Sequence, residues 1–422
     1  MHLAEKIRKN YAWIIVAAFC LSQGAMLGIV SNCFGLFYVP VSAEFGCGIS
    51  DVSLSMTLSS LFMCLSVSLF SKRAILKWPI KYVLAIANLL VLLRIILPFT
   101  HNIQVWWVVG AFVGIGGSFL AGLSTSIVLE RWFVKKLPIA LSIVASFSGV
   151  MGMIMSPIIG KLILALGWRK ALFIATMIVF VLNVPTWLVS LNPYEKSLVP
   201  YGLNENEYVN IKAQLETAKT DEKLAKISFN SKLLGIIVIC ILNASITAFI
   251  SHLATFGTSV ETSFNPSLLV TFYMVGNLVF KLLFGPFVEK SGLKVASITM
   301  LTIVIIGTVG MMFFKNIIIL PATFLYGASA LIYTTMIPLV EKKLYNTVEY
   351  PSVVQVGLVA YTVIYALMGY VYGLIFDKIG SYYPVVIYVI IATVVLAMII
   401  LSLLKDNDET GLKKKPILDN KN

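Results

Sequence analysis

The sequence predicts an all-α membrane protein whose twelve helices cross the bilayer as two pseudo-symmetric bundles of six. Composition is the first observation, because the 422 residues are 59% hydrophobic and only 12% charged, with a mean hydropathy of +0.92. A soluble domain would carry about a quarter charged residues. The second observation is that apolar stretches of about 20 residues, the length that spans a bilayer, recur along the whole chain. The third is a single long polar interruption that divides these stretches six and six.

The apolar stretches define the predicted spans and domains. We predict spans at residues 11–41, 51–70, 80–98, 104–128, 138–164, 170–190, 232–257, 266–287, 295–314, 317–340, 351–376 and 384–404. The first span is too long for the apolar core of a signal peptide and lacks a small-residue cleavage site, so we expect a retained helix. The predicted domains are an N-terminal bundle (1–190), a cytoplasmic linker (191–231), a C-terminal bundle (232–404) and a cytoplasmic tail (405–422).

The net charge of +13 is a signal of membrane topology. If the N-terminus is cytoplasmic, we assign 25 of the 32 lysines and arginines to the cytoplasmic side and five to the outer side, and Arg94 and Lys281 to the interior of spans. This bias follows the positive-inside rule, so we expect both termini in the cytoplasm and the protein in the plasma membrane of a bacterial cell. Nucleic acid is not an expected partner, because the basic residues are spread over several segments and form no single face. The expected partners are the lipid bilayer and a small molecule.

Similar turns follow the second and the eighth span. The first reads LFSKRAILKWPIKYV and the second LFGPFVEKSGLKVA, and each joins an apolar pair and a small residue to a short basic loop. Parallel six-helix repeats are typical of transporters, in which the substrate site lies near the bilayer midplane between the repeats. The repeat therefore predicts a transporter with a central site.

The loop after the eighth span resembles a motif of the major facilitator superfamily. Residues 285–294, GPFVEKSGLK, are similar to the G-x-x-x-D-R-x-G-R loop of that superfamily, with Glu289 and Lys290 in place of Asp and Arg. The resemblance covers nearly the whole chain. It implies the two-bundle major facilitator fold, transport by alternating access, and a gating role for Glu289 and Lys290. The copy of the loop in the first half lacks the glycine and the acid.

Three further stretches resemble the group of oxalate:formate antiporters and monocarboxylate porters. They are the basic loop before the fifth span, the Gly/Pro-rich fifth span with its outer turn, and the end of the eleventh span: RWFVKKLPIA (131–140), GMIMSPIIG with GWR (152–160 and 167–169) and GLIFDKIGSY (373–382). The resemblance implies a transporter of small organic anions. It also marks Arg131 and Asp377 as candidates for gating or coupling.

Lys281 is the most informative charge, because it lies in the apolar run YMVGNLVFKLLFG. A lysine deep in a span costs about 2.5–3.5 kcal/mol and usually faces the bundle interior or a water-filled cavity. Tyr273, Asn277 and Lys281 are four apart and share one helix face, on which Gly285 is expected to permit close packing. The alternative is snorkelling, since the predicted cytoplasmic end of the span is about 9 Å away and the lysine stem covers about two-thirds of that distance.

In both resembled groups, a cation at the position of Lys281 is part of the anion-binding site, and the resemblance implies the same role here. Asn277 stands where monocarboxylate porters carry a proton-coupling aspartate, and Asn32 stands where they carry a lysine. The eleventh span offers Tyr361 and Tyr365 instead of a cation. A site with one positive charge suits a monoanion, because a second carboxylate would stay unpaired in a low dielectric.

Other polar and aromatic residues of the spans have two interpretations each. Tyr333, like Tyr361 and Tyr365, is either an aromatic wall of the substrate site or an ordinary packing residue. Arg94, near the outer end of the third span, is expected to snorkel to the interface. His252 is either a gate or proton relay or an ordinary interfacial histidine.

No aspartate or glutamate lies in the middle of a predicted span, and Glu341 is assigned to the cytoplasmic side. Carboxylate-driven proton symport therefore has no obvious residue. The five cysteines show no metal-ligand spacing, the three histidines form no catalytic group with carboxylates, and no nucleotide-binding loop is present. We expect no enzyme, cofactor or metal.

The predicted function is secondary transport of a small organic anion, a monocarboxylate, by exchange, uniport or proton coupling. Lys281 supplies the counter-charge, and a monomer is expected to suffice. The first alternative is an exporter of hydrophobic or drug-like compounds, which would normally use a membrane carboxylate. The second alternative is a sensor with a transport fold.

Overall fold

A computed structural model describes residues 11–77, 79–134, 136–189, 200–202, 230–260, 262–346 and 349–404, without the side chains of 68–77, 122–123 and 351. The predicted tail (405–422) and most of the predicted linker (191–231) lie outside these residues. The described chain consists of helices and turns, with one isolated backbone pairing between Phe133 and Tyr201. The all-α part of the fold prediction is confirmed.

Twelve helices of membrane-spanning length make up the described chain. Eleven apolar segments are long enough to cross a bilayer, and the segment Leu137–Leu188 contains two helices because the chain bends at Gly167. Gly167 has φ 78° and ψ 160°, which glycine adopts readily because it lacks a Cβ. The helices are α1 (Tyr11–Phe45), α2 (Ile49–Lys77), α3 (Ile80–Phe99), α4 (Ile103–Trp132), α5 and α6 (137–166 and 168–188), α7 (Ser231–Ser259), α8 (Ser267–Ser291), α9 (Leu293–Phe313), α10 (Asn316–Leu344), α11 (Tyr350–Ile379) and α12 (Tyr383–Leu403).

Irregular backbone recurs at equivalent places in the two halves. The first helix of each half, α1 and α7, contains a 3₁₀ turn, at Phe34–Phe37 and at Phe249–His252. The fourth helix of each half, α4 and α10, contains a π-helical turn, at Phe119–Leu123 and at Ile332–Met336. Such backbone is tolerated at membrane depth where protein surrounds it. The recurrence agrees with the six-helix repeat that the two loops predicted.

The bundle has two ends, which we name by what they carry. The Asp377 end holds the turns at 46–48, 262–266 and 380–382. The linker end holds the turns at 79, 133–134 and 292. The charge bias predicts that the linker end is cytoplasmic.

The two halves meet along a seam that is closed toward the Asp377 end. The contacts are made chiefly by the helix pairs α1–α7, α2–α11 and α5–α8. Glycines set the closest approaches: a Cβ on Gly35 would clash with the Ser251 carbonyl, and a Cβ on Gly160 would lie 2.5 Å from Ser267 Oγ. Gly373 of α11 lies against α2 in the same way.

Hydrogen bonds to backbone carbonyls reinforce the same part of the seam. Thr57 Oγ1 of α2 donates to the Ala366 carbonyl of α11 over 2.8 Å. Ser156 Oγ of α5 donates to the Ser267 carbonyl of α8, also over 2.8 Å. Small hydroxyl side chains can make these bonds because the neighbouring helices approach closely.

Candidate functional site

The predicted row on α8 begins inside the C-terminal half. Tyr273 is buried, and its hydroxyl lies 3.2 Å from Ser329 Oγ on α10. Its ring centroid is 5.3 Å from that of Tyr326. Tyr273 therefore joins α8 to α10 within one half.

Asn277, one turn further along α8, faces the seam. Its side chain is buried, and a Cβ on Gly149 of α5 would lie 3.7 Å from its Nδ2. Its Oδ1 is buried and has no hydrogen-bond partner within the described part of the chain. Because an unsatisfied buried acceptor costs free energy, this position favours a donor from a ligand or from water.

Lys281 lies one turn beyond Asn277 toward the linker end and is half-buried. Among the described residues, the single ion pair joins Arg169 to Glu44, so the Lys281 ammonium has no carboxylate partner there. The charge is partly removed from water, and no carboxylate of the described residues neutralises it. Such a group attracts an anion more strongly than an exposed lysine does, since the effective dielectric is lower.

The close packing expected at Gly285 is made by another glycine, and that prediction is wrong. Gly285 is exposed, and a Cβ there would meet no atom within 4 Å. Gly276 instead lies against the Phe324 carbonyl of α10, too close to admit a Cβ. As a result, α8 is packed before Lys281 and borders open space one turn after it.

Asn32, in the middle of α1, reaches across the seam to α8. Its Nδ2 lies 3.6 Å from Met274 Sδ, and a Cβ on Gly152 of α5 would lie 3.2 Å from the same sulfur. Met274 precedes Asn277 by one turn. Asn32 and Asn277 therefore belong to one stretch of the seam, where α1, α5 and α8 meet, and Lys281 follows Asn277 by one turn on the same row of α8.

The three predicted tyrosines form one stack. The ring centroids of Tyr333 and Tyr361 are 3.7 Å apart with an interplanar angle of 14°, and those of Tyr361 and Tyr365 are 5.8 Å apart at 20°. The Tyr361 hydroxyl lies 2.9 Å from Thr247 Oγ1. Tyr326, which packs against Tyr273, donates to the Ile246 carbonyl, and Ile246 is adjacent in α7 to the Thr247 that Tyr361 contacts. The α8 row and the tyrosine stack are thus neighbours.

His252 is fully buried, so the interpretation as an interfacial histidine is wrong. Its Nε2 lies 2.6 Å from the Gly369 carbonyl, its Nδ1 lies 2.8 Å from the Tyr382 hydroxyl, and its ring packs 5.2 Å from Tyr38 of α1. Burial raises the pKa of Tyr382, which lies between α11 and α12, so its hydroxyl keeps its proton and can donate to Nδ1. Nε2–H then donates to Gly369, and we assign a neutral imidazole where α1, α7 and α11 meet.

Asp377 joins the two halves directly. From the last turn of α11, its two carboxylate oxygens accept hydrogen bonds from the backbone N–H groups of Ile49 (2.8 Å) and Ser50 (2.9 Å) at the start of α2. A carboxylate at a helix N-terminus satisfies free donors and interacts favourably with the helix dipole. A residue of one half therefore caps a helix of the other.

The remaining gating candidates lie toward the linker end. Arg131 is half-buried in the last turn of α4, and Glu289 and Lys290 are exposed near the end of α8. None of them forms an ion pair with another residue that the structure describes. Their gating role stays a prediction.

Two charged residues lie deeper than the sequence indicated. Arg94 does not snorkel, since it is 4% exposed and its guanidinium lies 5.3 Å from the ring centroid of Phe34. Glu341 is 2% exposed, and a Cβ on Gly357 of α11 would lie 3.1 Å from its Oε1. A buried carboxyl is therefore present near the linker end. Position along a span did not reveal it, because burial depends on which neighbouring helix covers the side chain.

The sequence did not predict one ion pair at the Asp377 end. Arg169 pairs with Glu44 at 2.7 Å, and the Trp168 indole donates to the same carboxylate. The pair holds the bend between α5 and α6 against the end of α1. The available signal was an acid at the end of the first span and the Gly167-Trp168-Arg169 motif, both on the same predicted side of the membrane.

The fold and the seam define a class of protein: a multi-pass membrane protein built like a secondary transporter. A family model of the Major Facilitator Superfamily matches residues 14–340, and the chain belongs to this superfamily. The fold and the family match both indicate a transporter.

Solved structures with the same fold include the nucleoside transporter NupG. A crystal structure of a NupG mutant matches with a TM-score of 0.71 and 13% sequence identity, over 93% of this chain and 99% of that one. A second NupG crystal structure matches with a TM-score of 0.66 and 13% identity, over 94% and 99%. At this identity the likeness shows the fold alone. No curated protein matches the sequence.

Proposed function

We propose that this protein is a secondary transporter that moves a small organic anion, a monocarboxylate, by alternating access. The observation that carries the proposal is Lys281, a half-buried cation at the seam that no carboxylate of the described chain neutralises. An anion that enters the seam gains this charge as its partner in a medium of lower dielectric than water. The motifs similar to oxalate:formate antiporters and monocarboxylate porters support the same substrate class.

The surroundings of Lys281 suit a molecule with one charged end and an apolar body. The unpaired Asn277 Oδ1 and the amide of Asn32 offer polar groups along the same stretch of the seam. The neighbouring stack of Tyr333 and Tyr361 offers aromatic surface. Small-molecule sites combine apolar walls with a few placed polar groups. One cation in this group matches one negative charge, so a dianion would leave a carboxylate unpaired.

In the proposed cycle, the present conformation receives substrate from the linker end. Open space borders α8 at Gly285, whereas the seam is closed at Gly35 and by the Asp377 cap on α2. Delivery to the other side requires the halves to part at the Asp377 end and to close at the linker end. Glu289, Lys290 and Arg131 are the candidates for that second closure.

Coupling by exchange or uniport needs no titrating residue, whereas proton coupling does. The buried candidates are His252 in the closed part of the seam and Glu341 near the linker end. A buried carboxyl without a cation is less costly when it is protonated. Glu341 is therefore a candidate residue for proton coupling, which stands beside exchange and uniport.

A neutral nucleoside is the second candidate substrate. NupG, which shares the fold, is a nucleoside transporter, and a tyrosine stack together with the Asn277 amide can hold a flat base. This candidate, like an exporter of hydrophobic or drug-like compounds, predicts that Lys281 is dispensable. A sensor predicts binding without flux.

Counterflow in proteoliposomes tests the proposal. Vesicles preloaded with lactate, formate, oxalate or uridine are assayed for uptake of the same labelled compound, with and without a pH gradient. Lys281→Ala is expected to lower monocarboxylate exchange by about tenfold or more, because losing a desolvated charge pair costs above about 1.4 kcal/mol. Lys281→Arg should retain more activity, since the charge remains.

The matched control is Lys315→Ala, which removes an exposed lysine from the turn between α9 and α10 and should leave exchange unchanged. Undiminished monocarboxylate exchange in Lys281→Ala contradicts the assigned role of Lys281. Uridine counterflow that ignores Lys281 supports the nucleoside candidate instead.

A further inference from the structure

Arg94 is a buried cation in the interior of the N-terminal half. It lies in the 3₁₀ turn Leu93–Phe99 of α3 and is 4% exposed. Its guanidinium lies over the ring of Phe34 from α1, 5.3 Å from the ring centroid. Arginine keeps its proton in proteins, so a full positive charge is held inside the bundle.

Within the described chain, no carboxylate neutralises this charge, and no carbonyl oxygen accepts a hydrogen bond from the guanidinium. Arg94 has no carboxylate within ion-pair distance and no hydrogen-bond acceptor. Its polar neighbour is the thiol of Cys33, which is buried and donates to the Gly28 carbonyl. The contact with Phe34 stabilises the cation but satisfies none of its five N–H groups in their plane. Because buried charges in proteins are almost always paired, Arg94 calls for a ligand.

A small cavity borders the guanidinium. Its volume is about 20 Å³, and Arg94 lines it together with Phe34, Ser55, Ser59 and residues of α4. A single water-sized particle needs about 10–15 Å³. A volume of this size suits one small ion better than an organic acid.

The two serines of the cavity differ in what their hydroxyls bind. Ser55 Oγ donates to the Trp106 carbonyl over 2.9 Å. The Ser59 hydroxyl makes no hydrogen bond to another described residue, so its proton is free to point into the cavity. Arg94 and Ser59 thus offer donors from α3 and α2.

We propose that this cavity binds a monoatomic anion, chloride, between the Arg94 guanidinium and the Ser59 hydroxyl. A water molecule would accept a hydrogen bond but would leave the positive charge in a low dielectric, whereas an anion neutralises it. All the lining residues belong to the N-terminal half, so the site is separate from the substrate position at Lys281. The bound anion holds α3 against α1, α2 and α4 and stabilises this half as a unit.

Thermal unfolding of the purified full-length protein tests the site. Melting temperatures are compared in sodium chloride, sodium bromide and sodium gluconate at equal ionic strength. The wild type is expected to gain about 2–4 °C in chloride and in bromide, with a saturable dependence. Gluconate is too large for the cavity; because it is itself a monocarboxylate, the three salts are also compared in Lys281→Ala, where gluconate should give no gain. Equal melting temperatures in all three salts overturn the proposal.

Two variants separate this site from the substrate site. Arg94→Gln keeps hydrogen-bond donors but removes the charge, so it should lose the halide dependence. Lys281→Ala should keep it. Halide dependence that disappears in Lys281→Ala and persists in Arg94→Gln contradicts the assignment.

If Arg94→Gln does not fold, crystals of the wild-type protein test the anion site by themselves. Crystals grown in bromide are expected to show an anomalous scattering peak beside the Arg94 guanidinium. Bromide peaks confined to the protein surface contradict the site. Neither result bears on whether Lys281 binds a carboxylate, so the two proposals fail independently.

Discussion

The seam between the halves differs between the Asp377 end and the stretch around Lys281, although α8 contributes to both. At the Asp377 end, glycines such as Gly35 bring helices together, and Asp377 and Thr57 bond to backbone groups of the opposite half. Around Lys281, the described part of the seam holds a cation without a carboxylate partner and, at Asn277, a buried acceptor without a donor. At the closed end, hydrogen bonds join the two halves directly, although the buried hydroxyls of Thr255 and Ser267 have no partner in the described chain. The Lys281 stretch instead places an unpartnered acceptor one turn from a cation, an arrangement that suits a ligand.

The closed end is also built from contacts that can break. Each hydrogen bond contributes about 0.5–1.5 kcal/mol to the closed arrangement, and a helix cap contributes a similar amount. A few such bonds hold one conformation in the majority and still permit its opening. We expect their removal to shift the balance between the two conformations without unfolding the bundle.

Gly35→Ala should disturb this comparison most. The added Cβ clashes with the Ser251 carbonyl, which is backbone and cannot move aside like a flexible side chain. Such overpacking costs about 1–3 kcal/mol and should lower the ratio of closed to open conformations about 5- to 150-fold. Distances between spin labels at Leu166 and Ser263, exposed on the two halves at this end, measure the ratio.

Gly285→Ala is the matched control, because a Cβ there meets no atom within 4 Å. It should leave both the label distances and transport at wild-type values. Unchanged distances in Gly35→Ala would mean that the α1–α7 approach does not hold the seam closed.

Asp377→Ala should have a smaller effect on the same measurement. The variant removes the cap on α2, which is worth about 0.5–2 kcal/mol and corresponds to a change of about 2- to 30-fold in the closed-to-open ratio. Asp377→Asn retains one acceptor oxygen and should fall between Ala and the wild type. Lys378→Ala, at the exposed neighbouring position, is the control. If Asp377→Ala shows the wild-type ratio of closed to open conformations, the cap on α2 does not help to hold the seam closed.

Of the variants considered, Glu341→Gln should change exchange least, and it should specifically affect the coupling of uptake to a pH gradient. The amide keeps the shape and polarity of the side chain but cannot release a proton. We expect exchange within about twofold of the wild type and loss of the stimulation by a pH gradient, provided that uptake is proton-coupled. Counterflow with and without the gradient measures both. Glu130→Gln is the control, because Glu130 lies near the equivalent end of α4 and is exposed.

An unchanged gradient response in Glu341→Gln would exclude Glu341 as the proton carrier. The remaining candidates would then be His252 in the closed seam and the substrate itself.

Depth in the bundle was harder to predict than the existence of each helix. The spacing of Tyr273, Asn277 and Lys281 correctly put them on one row of α8, because a helix repeats at a fixed interval. It did not show that Tyr273 turns to α10 while Asn277 faces α5. The neighbouring helix decides the role of each position in the row.

The sequence also could not predict which glycines pack closely or which charged residues are buried. The sequence favoured Gly285 for close packing, but Gly276 makes it, because the α10 backbone passes there. Arg94 and Glu341 were assigned to the membrane surfaces by their places near span ends, and packing covered both. For His252, the sequence left a gate and an interfacial residue as alternatives, and only its partners Tyr382 and Gly369 excluded the second.

By itself, the sequence determined that twelve apolar helices cross a membrane in two similar sets, with an uncommon lysine inside the eighth. Apolar length, helical spacing and charge bias are properties of each segment, so they can be read without knowing its neighbours. Only the tertiary structure decided where the halves touch. Asp377 caps a helix that begins 328 residues earlier in the chain, and nothing local to either segment encodes that contact.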